Sequence, residues 1–203
     1  MKMKFYALKL VFICIVIFII QIIFPVFTDL FVLNKLSFIQ PWRFASAIFL
    51  HGSLSHLLYN LFALALFGTF LEGFIGGKRF LTIFFAAGIG ANIISVNFYD
   101  SALGASGAIY GVIGALMIIR PFLMVWALGL PMPMVLAGIL WAIGDFAGIF
   151  MPSNVANIAH LIGMFMGFVL GAIFKKNLQF KKEKNEITID EHSVRKWEDV
   201  YLR

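Results

Sequence analysis

The chain has 203 residues, of which 62% are apolar and 13% charged, against about 25% charged in a soluble domain. That balance excludes a soluble globular enzyme and a disordered regulator, and Cys14, the single cysteine, excludes a disulfide scaffold or a cysteine-based metal cluster. The formal net charge of +6 does not point to nucleic acid, because the basic residues sit between long apolar runs instead of forming one dense face. The expected surroundings are a lipid bilayer, and the expected fold is an all-α membrane protein.

Crossing about 30 Å of hydrocarbon takes about 20 helical residues, and six stretches qualify in chain order. The first, about 8–27 near Pro25 and Asp29, is longer than a signal-peptide core and lacks a small-residue cleavage site, so it is expected to be retained. The second covers about 54–74 and the third about 80–98. The fourth, about 104–119, is closed by Arg120 and Pro121. The apolar 123–130 stretch that follows reads as a connection, because Pro131 and Pro133 interrupt it. The fifth covers about 134–150 up to Pro152, and the sixth about 157–174 up to Lys175 and Lys176. No alternating ten-residue pattern suggests a barrel. The division is therefore a six-helix membrane domain, 1–174, and a charged tail, 175–203, expected to be solvated.

Basic residues mark the cytoplasmic side of a membrane protein. With both termini cytoplasmic in the cell membrane, all of the 16 Lys and Arg residues fall inside except Lys35 and Arg43.

A polar side chain inside a bilayer must face the bundle interior and find partners, and it marks function by default. Those residues are His51, His56, Asn60, Ser106, Tyr110, Asn157 and His160, all near the expected outer ends of spans two, four and six. Span four is short: about 16 residues rise only roughly 24 Å. Ser106 should therefore lie below the membrane surface, and the loop before it must dip in against a wet cavity. Glycines on spans four (Gly107, Gly111, Gly114) and six (Gly163, Gly167, Gly171) allow close helix approach. Packing those faces brings the His160 imidazole towards the Ser106 hydroxyl, a nucleophile with its general base. His56 and Asn60, at i and i+4 on one helix face, can donate to a developing oxyanion together with the Ser106 N–H.

Other readings are plainer. Three histidines at one level suggest a metal; but no Cys, Asp or Glu is expected at that depth, so neither metal nor cofactor is expected. Asp145 is read as meeting water or capping a turn, Glu72 as an ion-pair partner of Lys78 or Arg79, and Cys14 as lipid-facing or core filler. Asn157 reads equally as a helix cap or a site residue.

Taken together, these residues match a known pattern. Trp42-Arg43 in the first outer loop, His51-x4-His56-x3-Asn60, Gly68-x3-Glu72-x3-Gly76, Gly104-x-Ser106-Gly107 with Tyr110, and Ala159-His160-x2-Gly163-x3-Gly167 follow in order between Pro41 and Gly171. The chain resembles the rhomboid intramembrane serine proteases in their minimal six-span form. That resemblance implies Ser106 as nucleophile and His160 as base, a dyad without a carboxylate. It implies His56 and Asn60 in the oxyanion hole, Gly104 shaping that turn, Tyr110 stacking on His160, and His51, Trp42 and Arg43 in supporting roles. It implies transmembrane protein segments as substrates, reached through span five and the following loop, 141–154, with Phe146 and Phe150 as gate. The alternative within the family is a non-catalytic member that binds transmembrane clients; such members usually lack the serine or the histidine. A small transporter is a third reading, and no inverted repeat supports it. Nothing in the sequence sets the oligomeric state.

Overall fold

The computed structural model describes residues 4–151, 155–184 and Arg195, with 177–184 described by backbone only. Pro152, most of the charged tail and the end of the expected gate lie outside the described residues. Helices α1 (Tyr6–Ile23) and α2 (Val26–Phe31) lead into strand β1 (Leu33–Asn34), a 3-10 turn (Lys35–Phe38) and helix α3 (Arg43–Ser46). Helix α4 (Leu54–Ala63) continues through a π-helical turn (Leu64–Gly68) into α5 (Thr69–Ile75), and α6 (Gly77–Ser95) follows. Then come β2 (Ser101–Ala102), α7 (Ser106–Ile119), β3 (Met124–Ala127), β4 (Leu130–Pro133), α8 (Met134–Gly148) and α9 (Asn157–Lys184).

Four helical segments are long and apolar enough to cross a membrane: Tyr6–Ile23, Leu54–Ile75, Gly77–Ser95 and Asn157–Lys176. Ser106–Ile119 and Met134–Gly148 are shorter apolar helices. These are the six expected spans, each with ends close to those read from hydropathy. The sixth differs most, because α9 passes Lys175 and Lys176 without a break.

Helix α7 is the axis of the bundle. Gly107–Ile109 and Gly111–Met117 are all buried, and the helix packs on α9, α6, α8 and the π-helical turn. Large apolar side chains such as Phe12, Ile22, Phe62, Ile143 and Phe165 cover the outside. In water they would form an aggregating surface; in hydrocarbon they cost nothing. The fold is a helical membrane bundle.

Two features at the helix ends depart from the sequence reading. Glu72 does not pair with Lys78 or Arg79. It is buried, and its carboxylate accepts from the Lys4 and Ala7 backbone N–H groups at 3.2 and 3.0 Å. The first turn of α1 has unpaired N–H groups and no side-chain cap of its own, so a carboxylate there satisfies donors and complements the helix dipole. The 123–130 connection is also more ordered than expected: β3 and β4 form an antiparallel hairpin in which Trp126 faces Pro131 and Met124 faces Pro133. Two-stranded pieces tolerate proline because each strand has a free edge. Cys14 is core filler, fully buried.

At the end of the bundle carrying the histidines, β1 pairs with β2, Leu33 opposite Ala102 and Asn34 opposite Ser101. This joins the loop before α3 to the loop before α7. The Gly104 N–H donates to the Ala47 carbonyl at 2.9 Å, and Asn92 Nδ2 donates to the Phe44 carbonyl at 2.8 Å. The chain entering α7 is thereby held against the first loop by backbone bonds on both sides of α3.

Candidate active site

Ser106 is the first residue of α7 and half-buried. The leading N–H groups of an α-helix have no intrahelical acceptor and carry the positive end of its dipole. A hydroxyl at that position sits beside ready-made anion-binding groups.

Gly104 makes this turn possible in two ways. Its φ is +125°, a conformation L side chains rarely adopt. A Cβ there would also lie 2.7 Å from His56 Cε1 and 3.9 Å from Ser106 Oγ. The space a side chain would fill is therefore the gap between the His56 ring and the Ser106 hydroxyl.

On α9, His160 is buried and gripped from two directions. The Tyr110 ring stacks on it, centroids 4.2 Å apart and planes 10° from parallel. Its Nδ1 lies 2.8 Å from Asp145 Oδ1 of α8, with both side chains almost out of solvent contact. The stack matches the sequence expectation; the carboxylate corrects it. Asp145 is buried with its carboxylate on His160 instead of capping a turn, and a carboxylate does stand at the level of the histidines. Among the described residues no group of three His, Cys, Asp or Glu side chains could hold a metal.

The approach of α7 and α9 follows from glycine. A Cβ on Gly163 would strike the Gly107 carbonyl oxygen, and one on Gly167 would strike that of Gly111. Backbone lies on backbone here, starting at the residue after Ser106 on α7 and about one turn after His160 on α9. Among the described residues no hydrogen bond joins Ser106 to His160. Catalytic hydrogen bonds are often long before substrate binds and tighten in the complex.

The supporting residues divide. Ser53 caps α4 by accepting from the His56 N–H at 3.1 Å, which fixes the start of that helix. Asn60 is buried, and its Nδ2 donates to the His56 carbonyl at 2.9 Å, leaving the second N–H of that amide for another acceptor. His51 lies on the loop before α4 with its ring edge-on to His56, centroids 5.2 Å apart. Its Nδ1 is 3.2 Å from the Phe49 carbonyl, and its peptide exchanges hydrogen bonds with the Gln21 side chain of α1. Burial, with the His56 ring alongside, holds the His51 imidazole down at about 4, so it is neutral. Arg43 is buried and donates to the Asp29 and Val32 carbonyls at 2.8 Å each and to Gln40 Oε1 at 2.6 Å. It organises the first loop and stands apart from the reacting groups. Trp42 is half-exposed on the same loop. Asn157 is buried against Gly148 of α8.

Sequence reasoning missed the Asp145 contact. The signal was present: one carboxylate in the apolar run of α8, at the level of His160. An ionised group in that setting demands a partner.

Comparison with known proteins identifies the family. Residues 39–177 match the family model described as Rhomboid domain. RHOMBOID-like protein 7 of Arabidopsis thaliana is 32% identical over 74% of this chain and 48% of its own length. Rhomboid protease GluP of Bacillus subtilis (strain 168) is 38% identical over 64% of this chain and 25% of its own length. Putative rhomboid protease YdcA of the same organism is 32% identical over 64% of this chain and 65% of its own length. The chain thus spans about half the length of the plant relative and a quarter of GluP. With a family model matching well over half of its residues, the chain belongs to the rhomboid family.

Proposed function

We propose that the chain is an intramembrane serine endopeptidase that cuts transmembrane segments of other proteins, with Ser106 as nucleophile and His160 as base. The observation that carries this reading is the convergence on the start of α7 of a hydroxyl, free helix N–H groups, the His56 ring and, across a glycine contact, an oriented imidazole. In the first half-reaction His160 Nε2 takes the proton of Ser106 Oγ as oxygen attacks the scissile carbonyl. The negative charge forming on the carbonyl oxygen is met by the N–H groups of α7 and by side-chain donors from His56 and Asn60. His160 then protonates the leaving amine as the C–N bond breaks. Water, deprotonated by the same imidazole, releases the acyl group and regenerates the serine.

The membrane orientation belongs to the same proposal. With Lys78, Arg79 and Arg120 in the cytoplasm, the histidine-bearing end of the bundle faces outward and cleavage takes place near the outer leaflet. Substrate entry beside α8 is supported by the exposure of Phe146 and Phe150, which among the described residues contact only each other as ring partners.

The test is cleavage of a model transmembrane substrate by the purified chain in detergent, with Ser106→Ala and His160→Ala alongside. Both variants are expected to be inactive. Undiminished cutting by Ser106→Ala refutes the mechanism, and binding without cutting by the native chain identifies a client-binding protein instead.

A further inference from the structure

We infer that Asp145 is a positioning residue for the His160 base, so that the reacting group is a serine, an imidazole and a carboxylate in series. The inference rests on the proteolytic reading above, but its geometry stands on its own.

A carboxylate on an apolar membrane helix is costly unless it meets a specific partner. Asp145 is 6% exposed, its Oδ1 lies 2.8 Å from His160 Nδ1, and its carboxylate also interacts with the Tyr110 hydroxyl. Its second oxygen, Oδ2, is buried without a hydrogen-bond partner. A carboxylate kept only to fasten α8 to α9 would leave a costly orphan atom where an apolar contact would serve. The expense is explained if the negative charge is used.

The use follows from which imidazole nitrogen it touches. An ionised carboxylate only accepts, so Nδ1 must carry the proton. That leaves the lone pair on Nε2, the nitrogen that has to take the serine proton. Tyr110 closes one face of the ring, and Asp145 pins its edge. Together they remove both rotation about the side chain and the choice of tautomer. When Nε2 gains the Ser106 proton, the adjacent carboxylate offsets the new positive charge, and it accepts no proton itself. Asp145 reaches this place from a different helix, 15 residues before His160. Displacing α8 to admit a substrate would therefore disturb the base, and the pair has to survive entry for turnover to proceed.

Two measurements on the full chain test this. The first needs no change at Asp145: 15N chemical shifts of His160 in the detergent-solubilised native protein, assigned by their loss in His160→Ala. The expected result is a protonated Nδ1 and a bare Nε2; the opposite tautomer overturns the inference. The second compares Asp145→Asn, Asp145→Ala and Asp145→Glu by kcat and KM. Asparagine keeps an acceptor for Nδ1 and so preserves the fastening without the charge. It is expected to lower kcat by about tenfold or more, with 10⁴-fold as the scale set by soluble serine proteases, while KM stays within about twofold. Glutamate is expected to recover part of what alanine loses. Native kcat in a folded Asp145→Asn protein overturns the inference. Undiminished cleavage by Ser106→Ala would instead sink the proteolytic reading and leave the tautomer result standing.

Discussion

Gly163 of α9 rests on the carbonyl of Gly107 of α7, with no space for a methyl group between them. The relationship continues one turn on, where Gly167 meets Gly111. Membrane helices gain nothing from hiding apolar surface from one another, so such backbone contact is a main source of their attraction.

Gly163→Ala is accordingly expected to push α9 away from α7 near the site. The overpacking cost is about 1–3 kcal/mol, and His160 moves with the helix. Thermal unfolding in detergent should show a lower midpoint, and cleavage should fall with it. A variant of native stability and native activity would contradict the packing described here.

Asn60→Ala removes both the hydrogen bond to the His56 carbonyl and the amide N–H left over for an oxyanion. Turnover is expected to fall about 10- to 1,000-fold, the range between partial and full loss of one oxyanion donor. Retained helicity and a near-native unfolding midpoint would show that the fold survives. Unchanged kcat would remove Asn60 from the reacting site.

His51 gives the fold an acid sensitivity of defined sign. Its imidazole is lowered from 6.5 to about 4, by burial first and by the neighbouring His56 second. The unfolded chain takes up a proton below about 6.5, whereas the folded chain resists until about 4. Stability is therefore complete above that window and declines as pH falls through it, by an amount on the order of 3 kcal/mol at most. Unfolding midpoints at pH 7 and pH 4.5 should differ for the native chain and differ less for His51→Asn. An equal difference in both would assign the acid sensitivity to other groups.

The helices were legible because apolar runs in lipid leave few alternatives, and the histidine level was legible because polar residues there are rare. Ser106, His56 and His160 stood out for that reason. Asp145 did not: a carboxylate near a helix end has an ordinary reading as a cap, and only the rotation of α8 decides which way it points. Glu72 was misjudged similarly. Lys78 and Arg79 are near in sequence, but the free N–H groups of a distant helix start were the better partner. The β3–β4 hairpin escaped notice because its turn places Leu128 at φ 52° before Gly129 at φ 79°. Leucine at a left-handed position is not a turn signal, whereas the asparagine-glycine pair usual there would have been.

The short pairing of Leu33–Asn34 with Ser101–Ala102 lies partly outside the stretch that defines the family, which begins at residue 39. So does Gln21, which clasps the peptide of His51. A chain trimmed to residues 39–177 would retain every reacting side chain and still lose the scaffolding that seats the loop ahead of Ser106. On the proposed reading, the site is thus braced in part by a leading segment that carries none of its chemistry, and truncation should lower cleavage without touching a single residue of that site.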